Sequence, residues 1–250
     1  MIHSFLLIGQ SNMAGRGDFE DVEPIENGRI KVLRNGRWQD VFYPVNPDRK
    51  FSGVNLAESF AEAYSKEHNV DVGLIPCADG GTALSQWRTG SLLYDNAVCQ
   101  ARLALRTSTI AGVLWHQGEG DCAPELYPLY EEKFVPILNS LKKELDLYDV
   151  PFLLGGLGDF LKDCKLSENM KNYHNINVAL KKIADENPMV GFVSAEGLGA
   201  KADNLHFNAK ALREFGVRYY EEFKKLEDKN KVFTEKVSMD DAIRSEMEAL

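Results

Sequence analysis

Three side chains suited to acyl transfer stand in two short segments near opposite ends of this 250-residue chain. One is Ser11, in Phe5-Leu-Leu-Ile-Gly-Gln-Ser-Asn-Met-Ala-Gly15, where an apolar run enters a turn that presents a hydroxyl. The others are Asp203 and His206, in Asp203-Asn-Leu-His206-Phe-Asn. A histidine that titrates near neutrality can take a hydroxyl proton as general base and return it to a leaving alkoxide. An aspartate accepting from the other ring nitrogen sets the tautomer and stabilises the imidazolium. With such partners Ser11 is a nucleophile; without them a serine opening a helix is a cap, and a lone histidine is an ordinary loop residue.

Two further segments end apolar runs in polar ones. In Asp79-Gly80-Gly81-Thr82 the paired glycines leave backbone N–H groups unshielded, as binding a developing oxyanion requires, although most such turns only reverse the chain. In Trp115-His116-Gln117-Gly118-Glu119-Gly120-Asp121, Gln117 can donate an amide N–H to a substrate oxygen, while Glu119 and Asp121 can accept backbone hydrogen bonds. A metal reading of His116, Glu119 and Asp121 is disfavoured, because a strand turns alternate side chains apart and no second histidine lies nearby. His3, His68 and His174 read as strand-start and helix-end residues. Cys77, Cys99, Cys122 and Cys164 form no C-x-x-C pair, so neither a zinc knuckle nor a disulfide framework is expected, and no cofactor is called for.

The elements that must carry these groups show in the apolar pattern. Nearly continuous apolar runs at 4–9, 70–76, 110–115, 150–155 and 190–195 suit strands covered on both faces. Helical periodicity fills 55–68, 92–107, 125–147, 169–186 and 209–225. Strand and helix alternating in this way predict an α/β fold with a parallel sheet built from right-handed crossovers. In such a sheet reactive groups collect past the carboxyl ends of the strands. The 16–53 stretch is predicted to be a cleft-shaping loop with a small hairpin around Asn35-Gly36. No linker divides the chain, so one domain is expected over 1–231, followed by a charged tail at 232–250 with a short helix after Ser238.

A net charge of −9 argues against nucleic-acid or anionic-membrane partners. The start, Met1-Ile-His-Ser-Phe, has no basic leader or long apolar core and reads as cytoplasmic.

Taken in order, Gly9-Gln10-Ser11-Asn12-Met-Ala-Gly15, Gly80-Gly81-Thr82, Trp115-His116-Gln117-Gly-Glu119-Gly-Asp121 and Asp203-Asn-Leu-His206 resemble the four blocks of the SGNH (GDSL-like) hydrolase superfamily. Within it the chain is similar to the sialate O-acetylesterase-like and acetylxylan-esterase-like group of carbohydrate esterase family 6. The resemblance implies a flavodoxin-like, three-layer α/β/α sandwich on a five-stranded parallel sheet and a Ser11, His206 and Asp203 triad. It also implies an oxyanion hole of the Ser11 and Gly81 N–H groups with the Gln117 side chain. Gln10, Asn12, Gly80, Thr82, His116, Glu119 and Asp121 would support that site or touch an acetylated saccharide substrate. Gln117 replaces the superfamily's usual asparagine, Gly120 a frequent serine, and Asp79 a small or apolar residue. An acid at 79 opposes an anionic transition state beside it. Trp87, Trp115 and the aromatic residues of the 42–51 loop could supply sugar-stacking faces, although aromatic side chains near strand ends more often belong to the core. The alternatives are a GDSL-type esterase of aryl or lipid esters, and a carbohydrate-binding protein of the same fold with weak turnover.

Overall fold

The first strand shows how the sequence builds the sheet. In β1 (Ile2–Gly9), Phe5 and Leu7 point to one apolar cluster, Leu6 and Ile8 to another, and all four are fully buried. A strand apolar on both faces must be covered on both. The computed structural model describes residues 2–248, with side chains to residue 228. After β1 come α1 (Ser11–Ala14), β2 (Ile30–Arg34), β3 (Arg37–Asp40), α2 (Leu56–His68), β4 (Asp71–Pro76) and α3 (Leu92–Ala104). Then follow β5 (Ser108–His116), α4 (Tyr130–Leu145), β6 (Phe152–Gly155), α5 (Tyr173–Glu186), β7 (Val190–Val193) and α6 (Ala209–Glu248). The tail expected over 232–250, with its helix after Ser238, lies outside the residues whose side chains are described.

The strand order is β3-β2-β4-β1-β5-β6-β7. The five strands expected from the apolar runs are β1, β4, β5, β6 and β7, and every pairing among them is parallel. Numbered among themselves along the chain, they lie in the order 2-1-3-4-5, the flavodoxin-like doubly wound arrangement. Helices α2 and α6 cover one face; α3, α4 and α5 cover the other. Among the described residues no helix is long and apolar enough to cross a membrane.

The sheet has seven strands rather than the five expected. The extra pair is the Asn35-Gly36 hairpin, whose turn residues both take positive φ, as a tight hairpin turn requires. Strand β2 then joins the sheet parallel to β4, burying Ile30 and Val32. Its mixed polar and apolar sequence, Ile-Lys-Val-Leu-Arg, reads like a surface hairpin. Edge strands face water along part of their length and lack the continuous apolar signature of central ones.

Switching of the winding direction on either side of β1 places a crevice at the carboxyl ends of β1, β4 and β5. The three segments that follow those strands are the Ser11, Gly80-Gly81 and Gln117 segments.

Candidate active site

Gly9 brings the first segment into place. It has φ +136°, and a Cβ there would lie 2.1 Å from the His116 carbonyl oxygen, so no larger residue lets β1 and β5 close at their ends. Gln10 N–H donates to that same carbonyl at 2.9 Å, and the chain then turns into α1. Gln10, not Ser11, occupies the cap position, and it makes no side-chain cap bond. The Ser11 hydroxyl is therefore not spent on a helix end. It lies 3.1 Å from Nε2 of His206, whose Nδ1 lies 2.7 Å from Oδ2 of Asp203. Because an ionised carboxylate only accepts, Nδ1 carries the proton and Nε2 is free to accept the Ser11 proton.

The histidine loop is braced from both sides. Oδ1 of Asp203 accepts the N–H groups of Leu205 and His206 at 2.9 and 3.0 Å. Partial burial disfavours the Asp203 charge, but the His206 ring and these N–H groups outweigh it and hold the carboxyl below its usual range. Asn12, next to Ser11, clasps the loop by accepting the Phe207 N–H at 3.1 Å and donating to the Leu205 carbonyl at 3.2 Å. Its amide also donates to Glu119 Oε1 at 2.5 Å. Gln10 Oε1 accepts the N–H groups of Gly118 and Gly120 at 3.3 and 3.2 Å, tying the first segment to the third.

The glycine pair divides its duties. Gly80 N–H donates to Oδ2 of Asp48 at 2.8 Å, while Gly81, at φ +77°, turns the chain. A Cβ on Gly80 would lie 3.5 Å from Cβ of Ser11, so the turn sits directly beside Ser11. The N–H groups of Ser11 and Gly81 have no acceptor among the described residues.

Asp48 and Arg16 anchor this turn and were not singled out from the sequence. Both side chains are 4% exposed, and they pair through two bonds of 3.0 and 2.7 Å. The Ser52 hydroxyl donates to Asp48 at 2.7 Å. Burial alone would raise the Asp48 carboxyl; the Arg16, Ser52 and Gly80 donors together hold it below the usual carboxylate range. Asp79 is also answered: Nη2 of Arg49 donates to its Oδ1 at 2.7 Å and to the Gly80 carbonyl at 2.8 Å.

Gln117 departs from expectation. Its side chain is fully buried, and Nε2 donates to Asp121 Oδ2 at 2.6 Å and to the Thr82 carbonyl at 3.2 Å. Tyr130 O–H donates to its amide oxygen at 3.0 Å. An amide nitrogen has two hydrogens, and both are engaged, so Gln117 steadies the turn after Gly81 instead of supplying an oxyanion donor. Asp121 also accepts the Leu84 N–H at 2.7 Å, and burial raises its carboxyl above the usual range. The Thr82 hydroxyl donates to the Asp79 carbonyl at 2.8 Å and accepts from Trp87 at 3.1 Å. His116 is fully buried beside Phe207 and Phe215, with Nε2 3.2 Å from the Gly156 carbonyl oxygen; burial pushes its pKa down. Gln10, Asn12, Gly80, Thr82, His116, Glu119 and Asp121 thus brace the site from behind.

The model of the family described as carbohydrate esterase, sialic acid-specific acetylesterase matches residues 1–225. This chain belongs to that family. A probable carbohydrate esterase of Arabidopsis thaliana is 29% identical over 243 residues, covering 85% of this chain and 86% of that protein. The solved Arabidopsis structure superposes with a TM-score of 0.79 at 27% identity, over 89% of this chain and 98% of that one. The structure of NanS, 19% identical, gives 0.74 over 91% and 98%. A carbohydrate acetylesterase of Xanthomonas citri, also 19% identical, gives 0.66 over 87% of this chain and 55% of that one. These last two share the fold.

In this member of the carbohydrate esterase family, a cleft of about 490 Å³ opens beside Asp203 and His206. His206 and Asp203 form one side, the 16–20 turn, the 51–53 segment and Lys201 the rest. Trp87 and Trp115 are buried, at 1% and 0% exposure, and pack edge to face in the core, which removes them as sugar-stacking candidates. Phe51, from the 42–51 loop, does reach the cleft, together with Phe19. The sequence signal for these residues is the length of the 16–53 insertion, which names the region but not the side chains.

Proposed function

We propose that this protein is a serine esterase that removes O-acetyl groups from a carbohydrate through an acetyl-enzyme intermediate. The observation that carries the reading is the bonded chain from Asp203 through His206 to Ser11, set beside two unoccupied N–H donors. Ser11 Oγ attacks the ester carbonyl as its proton passes to Nε2 of His206, and Asp203 stabilises the imidazolium. The carbonyl oxygen becomes an oxyanion held by the Ser11 and Gly81 N–H groups. Collapse breaks the bond to the sugar oxygen, which takes the proton from His206 as it leaves. Water then attacks the acetyl-enzyme with His206 again as base, releasing acetate and restoring Ser11. Family membership supports the carbohydrate half of this reading. Pairing of Asp79 with Arg49 removes the charge objection that favoured a weakly active binding protein.

The test is acetate release from acetylated saccharides by wild type and Ser11→Ala. The expected result is release by wild type and none above the uncatalysed rate by Ser11→Ala. Equal release by the two would overturn the mechanism.

A further inference from the structure

His206 hands its proton to the departing alkoxide, so the leaving alcohol must lie on the His206 side of Ser11, and the acyl oxygen on the Gly81 side. The cleft of about 490 Å³ is on the His206 side, and its volume falls within the roughly 300–1,000 Å³ of small-molecule sites. Two of its lining residues, Phe51 and Phe19, are 69% and 43% exposed. The Arg16 guanidinium covers one face of Phe51 at 5.2 Å from the ring centroid, which leaves the other for a ligand.

Charge limits that ligand. Both cations of the cleft are committed, Arg16 to buried Asp48 and Lys201 to Asp18 at 2.7 Å and to the Arg16 carbonyl at 2.9 Å. Glu20 and Asp203 add negative charge to the same walls. A sugar bearing a carboxylate would enter with no unpaired cation to meet it, a poor exchange for its lost hydration.

We propose that this cleft is the leaving-group subsite for a neutral acetylated pyranoside, with Phe51 as its stacking face and Phe19 as a second apolar wall, and that anionic sugars are disfavoured because Lys201 is committed to Asp18 while Glu20 and Asp203 line the same walls. The proposal rests on the esterase reading above.

The experiment measures acetate release from an acetylated xyloside, an O-acetylated sialate and ethyl acetate, whose leaving group is too small to use the platform. Phe51→Ala is expected to raise KM for the xyloside about tenfold more than for ethyl acetate, with kcat little altered, and Phe51→Tyr to restore it. Wild type is expected to favour the xyloside over the sialate, and Asp18→Asn, which releases Lys201, to narrow that preference severalfold. Equal effects of Phe51→Ala on both esters, or a wild type that favours the sialate, would overturn the subsite. A wild type that cleaves ethyl acetate but no sugar ester would instead refute the carbohydrate reading. One that releases no acetate from any ester would refute the esterase itself.

Discussion

Replacing Asp48 by alanine separates the role of the Arg16–Asp48 pair in catalysis from its role in folding. The substitution leaves the Arg16 guanidinium, 4% exposed, without its carboxylate, and leaves the Gly80 N–H without an acceptor. Breaking a buried pair from one side costs about 3–5 kcal/mol. At this chain length that lowers Tm by about 6–20 °C. The kinetic effect is separate. With the Gly80 tether gone, Gly81 N–H is no longer held against the oxyanion, and loss of one such donor lowers kcat by about 10²–10³. KM should change little, because the N–H bonds the transition state more strongly than the substrate. The double variant Arg16→Met with Asp48→Ala removes the stranded charge, so Tm should recover most of its loss while kcat stays low. Steady-state kinetics on one acetylated sugar and thermal unfolding of the three proteins read both quantities. If Asp48→Ala lost stability but kept kcat within about threefold of wild type, the tether would be structural only and the reasoning wrong.

Arg49→Gln leaves Asp79 as an unpaired carboxylate beside the Gly80-Gly81 turn, and kcat should fall severalfold and recover in the Arg49→Gln, Asp79→Asn double variant. Stability should depend on pH in two stages. His116 is buried as the neutral ring with its pKa pushed down, so below the ordinary value of about 6.5 the unfolded chain binds a proton that the folded one refuses, and stability falls. Asp48 has its pKa held down, so its contribution is full above the ordinary carboxylate value and is lost only as pH falls through the lowered one. Tm measured from neutral to acid pH should show both stages, and His116→Gln should weaken the first, leaving the part due to His3, whose pKa burial also pushes down.

How much of this was legible in the sequence follows from the kind of interaction involved. Central strands declare themselves because burial on both faces demands continuous apolar residues, and β1 and β5 are read directly. Ser11, Asp203 and His206 are legible because few residue types do this chemistry, but the 3.1 Å approach across the chain is a property of the fold. Choosing Gly81 over Gly80 needed the family pattern; that the Gly80 N–H is engaged by Asp48, 32 positions away, is visible only in the structure. Arg16 and Asp48 meet across 32 positions, with no local pattern linking them. Gln117 shows the converse limit. A glutamine after a buried strand looks alike whether its amide faces a substrate or, as here, braces Thr82 and Asp121 from behind. The tryptophans raise a related question: an aromatic residue near a strand end is more often core than cleft, and burial decides between them, for the core here.

The central claim is that Ser11 carries the acetyl group between the two half-reactions. Rapid acid quench during turnover of an acetylated sugar, followed by peptide mass analysis, tests it directly. The account requires one acetyl group on the peptide containing Ser11, absent in Ser11→Ala. Acetate released at full rate with Ser11 unmodified throughout, or by the Ser11→Ala protein, would contradict it.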